Sequence, residues 1–201
     1  MGTKIYFKMI TTFKKNIFAV LFLTVLIFNC SAQRFEGGLL AGMSAGQIDG
    51  DTQFGYKKPG FYAGVSVETQ LNALVGIKSE LFYTGKGAVK NVDGYEEFRT
   101  TLHYVELPFY LTIKPLKQFQ MDLGLAFAYL ISSKLRNLGQ VVGIDLYDMH
   151  KTEFSGIASA TYFFTEKAGF NFRFNYSLLP VKNNPNWFNN CIFLGAVYKI
   201  K

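Results

Sequence analysis

From Phe35 to the C-terminus the chain alternates apolar and polar residues with period two in segment after segment, and no stretch keeps a helical repeat for long. Successive side chains of a strand point to opposite faces, so such a chain must build sheets with one face unlike the other. Ala168–Leu178 is the clearest case: Phe170, Phe172, Phe174 and Tyr176 share one face, and Asn171, Arg173, Asn175 and Ser177 the other. Gln118–Ile131, Thr101–Lys114, Ala73–Gly85 and Gly60–Thr69 repeat the pattern. Phe35–Gln47, Glu153–Phe164 and Asn190–Ile200 show it blurred by glycines. These eight segments have the length that tilted strands need to cross a bilayer.

The connections sharpen the reading. Gln70–Asn72, Pro115–Lys117 and Thr165–Lys167 are three-residue turns, and they alternate with the long polar stretches 48–59, 86–98, 132–152 and 179–189. Short turns at one end and long loops at the other are the habit of outer-membrane barrels. The expected fold is therefore all-β: an eight-stranded antiparallel up-and-down transmembrane β-barrel. Strand parity alone does not say which face is inside, and a soluble barrel with apolar residues inward shows the same alternation. Aromatic excess favours the membrane: 21 Phe, 12 Tyr and 1 Trp make 17% of the chain, which is only 17% charged.

The N-terminus adds to this. Lys4, Lys8, Lys14 and Lys15 precede the apolar run Ile17–Phe28, with Ser31 and Ala32 behind it, in the order of a secretory signal peptide. The run is shorter than the ~20 apolar residues of a spanning helix. Met9 also serves as a start, since Lys14 and Lys15 follow it. The expected organisation is a signal over residues 1–32 and a barrel domain over 33–201, both ends of the barrel being periplasmic. Asn29 before Cys30 speaks against a lipidated cysteine, and cleavage after Ala32 leaves Cys191 without a disulfide partner. Removing the four signal lysines from the 21 basic residues leaves 17 against 14 acidic ones, a net of +3. That charge is dispersed, so no nucleic acid is expected as a partner.

Inside a barrel of this size there is room for side chains and little else. Glu68, Lys78, Lys114, Asp122 and Lys199 are expected toward the periplasmic end of the interior, with Glu80, Glu106 and Arg173 nearer the middle. Buried charges persist when paired, so Arg173 and Lys78 are expected to neutralise Glu80 and Glu106 in a plugged interior. The alternative is a narrow pore. His103 and His150 sit in no catalytic or metal-binding spacing, and Cys191 has no neighbouring ligand, so no cofactor, metal or catalytic residue is assigned. Outer-membrane lipids, lipopolysaccharide included, are the expected surroundings. Tyr56, Tyr95, Tyr147 and Trp187 in the loops 48–59, 86–98, 132–152 and 179–189 are candidates for contact with protein partners.

Two segments, GIKSELFYTGKGA (Gly76–Ala88) and HYVELPFYLTIKP (His103–Pro115), resemble the PorT-like family of outer-membrane β-barrel proteins. That family carries an E-L-L/F-Y-x-x-K-G segment followed by Y-x-E-L-P-x-x-L, and the resemblance extends along nearly all of the mature chain. It implies a barrel in the outer membrane, some members being linked to protein secretion. The expected role is a non-enzymatic anchor or accessory component, with a narrow passive pore as the alternative and a barrel enzyme acting on lipid or protein as the third reading. Pro108 cannot donate a ladder bond, so a bulge or bend is expected in the fourth strand.

Overall fold

The computed structural model describes residues 35–51, 55–92, 95–137, 140–142, 149–183 and 185–200. The expected signal peptide lies outside them. Among the described residues nine strands form one antiparallel sheet: β1 (Phe35–Asp49), β2 (Lys58–Gln70), β3 (Val75–Val92), β4 (Tyr95–Leu116), β5 (Phe119–Asn137), β6 (Gln140–Val142), β7 (Thr152–Phe163), β8 (Ala168–Ser177) and β9 (Phe188–Lys199). Each long strand pairs with the next, β5 with β7, and β1 pairs with both β2 and β9, so eight strands close on themselves. The three-residue β6 merely extends the sheet beside the end of β5. Closure leaves the barrel wall with no unpaired edge, the condition for a sheet to sit in hydrocarbon.

Exposure settles which face is inside. Leu39, Phe61, Leu81, Phe109, Leu123, Phe127, Phe170 and Leu194 all point outward, Leu123 being 69% exposed, whereas Glu80, Glu106, Asp122 and Arg173 are buried. A soluble barrel has the reverse arrangement. On β5 the outward apolar residues run from Met121 to Ile131, about 34 Å along the strand and roughly 25 Å after tilt, the height of a transmembrane apolar band.

Short connections at residues 71–74, 117–118 and 164–167 gather at one end with Phe35 and Lys199, where the first and last strands of the barrel begin and end. At the other end the expected loop 86–98 is largely strand: β3 and β4 stay paired from Lys86↔Leu102 up to Val92↔Tyr95. Likewise β5 continues to Asn137, so the loop expected from Ser132 begins six residues later. Gly85 and Gly87 carry no side chain to continue the alternation, so the upper part of β3 is not visible in the sequence pattern. In fact Gly87, at φ 128, bends β3 inward: a Cβ on it would lie 2.1 Å from the Thr100 carbonyl oxygen. Above the last β2–β3 pair, Tyr62↔Thr84, β3 leans across to β1 until Gly46 and Gly87 nearly touch.

The bulge expected at Pro108 is not there. Register across β3–β4 is the same on both sides of it, Ser79↔Phe109 and Phe82↔Glu106, and the ladder only skips the intervening pairs. The proline's missing N–H is absorbed as a local gap, with the Ser79 hydroxyl donating to the Pro108 carbonyl at 3.1 Å. The irregularities of β4–β5 lie at His103/Tyr104, where Ile131 is the extra residue, and at Ile113/Leu116.

Candidate functional site

The interior is stacked in layers along the barrel axis. At the short-turn end Lys114 pairs with Glu68, which also accepts from Gln120 at 3.1 Å, and Lys199 reaches Glu36 at 3.2 Å. A cavity of about 30 Å³ opens among Glu36, Glu68, Lys78 and Lys199, room for about one water.

Above it lies the first buried cluster. Lys78 contacts Asp122 directly and Glu80 at 3.3 Å, while Arg173 meets the other oxygen of Glu80 at 2.7 Å. Neutral donors complete the shells of both acids. Thr112, Ser159 and Gln120 donate to Asp122 at 2.8, 2.7 and 3.0 Å, and the Tyr110 hydroxyl donates to Glu80 at 3.1 Å. The guanidinium of Arg173 is fully buried, donates through Nε to Asn171 at 2.8 Å, and lies over the rings of Tyr62 and Phe82. Gly42 and Gly195, opposite each other on β1 and β9, leave the space that Tyr62 fills: a Cβ on Gly195 would lie 2.4 Å from the tyrosine hydroxyl.

The second cluster is nearer the loop end. Lys86 sits between Glu106 and Glu153, 2.7 Å from each, and donates to Asn175 at 3.2 Å. Asn175 donates to Glu106 at 3.3 Å, and Asn189 donates to Glu153 at 2.6 Å and to the Tyr104 hydroxyl at 3.2 Å. Over this cluster Ile48, Leu102, Leu130, Met149 and Val181 form an apolar layer with Trp187 packed against it. Bridges Met149↔Lys182 and Lys182↔Trp187 tie the segments on either side of β7 and β8 together there.

The sequence reading placed Glu80, Glu106, Lys78, Asp122 and Arg173 inside, and the structure finds them buried. Its pairing of Glu106 with Arg173 or Lys78 is corrected: both cations serve Glu80, and Glu106 belongs to Lys86. Lys86 and Glu153 escape the sequence pattern, the first because it falls in the expected loop 86–98, the second because it opens a weakly patterned strand. A signal for Lys86 was present in the K-G of the first recognised segment. The two segments in fact supply Lys78, Glu80, Lys86 and Glu106, together with Tyr104 and Gly87 of the same neighbourhood. His103 faces outward, its Nδ1 against the Tyr83 hydroxyl and its ring stacked on Tyr83. His150 meets the Pro180 carbonyl at 3.0 Å and the Asn183 amide. Tyr56 donates to Asn190 at 2.7 Å. Tyr147 and the side chain of Tyr95 lie outside the described residues.

A closed eight-stranded wall, apolar outside and charged within, defines a small transmembrane β-barrel of the outer-membrane type. Residues 31–183 match the family described as outer membrane protein beta-barrel domain, and the chain belongs to that family. Solved structures with the same architecture include Ail, the attachment invasion locus protein of Yersinia pestis. It is 15% identical, with a TM-score of 0.54 over 82% of this chain and 98% of Ail. Neisserial surface protein A is 12% identical, with a TM-score of 0.54 over 83% of this chain and 97% of its own. Ail in a phospholipid bilayer nanodisc is 14% identical, with a TM-score of 0.51 over 83% of this chain and 100% of that one. No curated protein sequence matches the chain.

Proposed function

We propose that this protein is a non-enzymatic, non-conducting barrel that anchors or assists a partner at the outer membrane. Its loop end faces outward, and its short turns and both chain ends face the periplasm. The observation that carries the reading is the filled interior. Two ionic clusters, each walled by hydrogen-bonding side chains, lie under an apolar cap built from Ile48, Leu102, Leu130, Met149 and Val181. An ion entering such a path must lose its hydration and break contacts already satisfied among fixed charges. Conductance of the purified barrel in planar bilayers tests this: a silent baseline is expected, and steady single-channel current would overturn it in favour of a narrow pore.

A link to protein secretion, of the PorT-like kind, rests on the two segments that supply the charge clusters. Those residues fix the barrel's interior, so any partner must be met by the loop end or the periplasmic rim. Mild crosslinking in intact cells followed by purification of the barrel tests the link. Recovery of a defined envelope partner through residues 48–59, 132–152 or 179–189 supports it, and recovery of the barrel alone contradicts it.

A further inference from the structure

Near the loop end of β5 a single extra residue changes which way the strand faces. Up to Leu130 the even-numbered residues of β5 point inward, Ala126, Ala128 and Leu130 among them. At the β4–β5 irregularity Tyr104 pairs with Leu130 but His103 pairs with Ser132, so Ile131 is left over. Parity then reverses. Lys134 and Arg136 turn outward and are exposed, opposite Thr101 and Arg99. Without the bulge both cations would be driven toward the apolar layer around Leu102 and Leu130. Bulges persist where they re-aim side chains.

The outward pair Arg99↔Arg136 places two arginines directly across the ladder. Lys134 lies one pleat below them and His103↔Ser132 one pleat lower again. Directly beneath are Val105, Tyr129 and Ile131 at the top of the lipid-facing band. On β4, four residues lead from Val105, opposite Tyr129, to Thr101 at the Lys134 level and six lead to Arg99, about 10 and about 15 Å after tilt, which sets the cations at and just above the headgroup layer. On the far side of the barrel, at the same end, the outer wall carries Asp49, Tyr176 and Asn190 instead. Lys134 and Arg136 thus lie on the β4–β5 wall, continuous with the membrane surface.

We infer that Arg99, Lys134 and Arg136 form a docking surface for the phosphates of the anionic glycolipid of the outer leaflet. The acyl chains lie against the β4–β5 wall, and the phosphates sit between the two guanidiniums and the ammonium. Arginine's planar fork suits phosphate oxygens, and lysine adds a point charge beside it. The inference rests on the outward orientation proposed above, and symmetric bilayers separate the two, because they present the lipid at both rims.

The test uses the full mature barrel in phospholipid nanodiscs, titrated with labelled bisphosphorylated lipid A and with the same lipid dephosphorylated. The dephosphorylated lipid is expected to bind on the order of tenfold more weakly, and so is the bisphosphorylated lipid to a K134S/R136S variant. Lys57→Ser, an exposed cation on the β1–β2 connection, is expected to leave binding unchanged. Equal binding of the two lipids by the wild-type protein overturns the proposal, and that comparison needs no variant to fold. Undiminished binding by a folded K134S/R136S variant overturns it too, as does an equal loss in Lys57→Ser, which would reduce the effect to net charge.

Discussion

The two buried clusters are built from the same residue types and are balanced differently. In the cluster nearer the short turns, two cations, Lys78 and Arg173, face two acids, Glu80 and Asp122, and each acid also accepts from neutral donors. In the one nearer the loops, Lys86 alone faces Glu106 and Glu153, and the amides of Asn175 and Asn189 supply the remaining contacts. Redundancy protects the first from the loss of any one member, whereas the second depends on a single ammonium. The contrast predicts how equivalent substitutions will differ.

Lys86→Met is expected to have the largest effect. It leaves two carboxylates facing each other in a fully buried layer, and a loss of about 5 kcal/mol is expected, the upper part of the range for breaking a buried pair. Urea unfolding in phospholipid vesicles, followed by the fluorescence of the lone Trp187, measures it. A loss below that of Arg173→Leu would break the comparison. Arg173→Leu should cost about 3 kcal/mol, since Glu80 keeps Lys78 at 3.3 Å and the Tyr110 hydroxyl at 3.1 Å.

These expectations bear on what the sequence could reveal. Period-two alternation made the barrel legible, and the positions of Glu80, Asp122 and Arg173 followed from parity along cleanly patterned strands. Partners across the interior were another matter. Which cation reaches Glu106 depends on how far neighbouring strands are staggered and on how β3 bends at Gly87, and neither is encoded in the period of one strand. Glycines at 85 and 87 erased the alternation where Lys86 sits, although they are what allows β3 to lean inward. The reversal at Ile131 was hidden for a related reason. A bulge is defined by two strands together, and β5 alone shows only two consecutive outward residues.

Asp122→Asn sharpens the comparison at smaller scale. Thr112, Ser159, Gln120 and Lys78 all point donors at this carboxylate. An amide nitrogen in its place cannot accept, so a loss of about 2 kcal/mol is expected for donors left unpaired. Vesicle unfolding again reads it, and a neutral result would show that water replaces the lost acceptor.

Glu153→Gln, the same chemical change in the other cluster, should cost about 1 kcal/mol or less. It leaves Lys86 matched one to one with Glu106, and the new amide oxygen still accepts from the ammonium. The new amide nitrogen would oppose the Asn189 Nδ2 that now donates to Glu153, but Asn189 Oδ1 is buried without a partner. Turning the Asn189 amide over offers that oxygen to the new donor and to the Tyr104 hydroxyl together. The expected outcome is an unfolding midpoint near wild type, well above that of Asp122→Asn. If Glu153→Gln proves the more damaging of the two, the second carboxylate is required beside Lys86, and the one-cation cluster is as tightly balanced as the other.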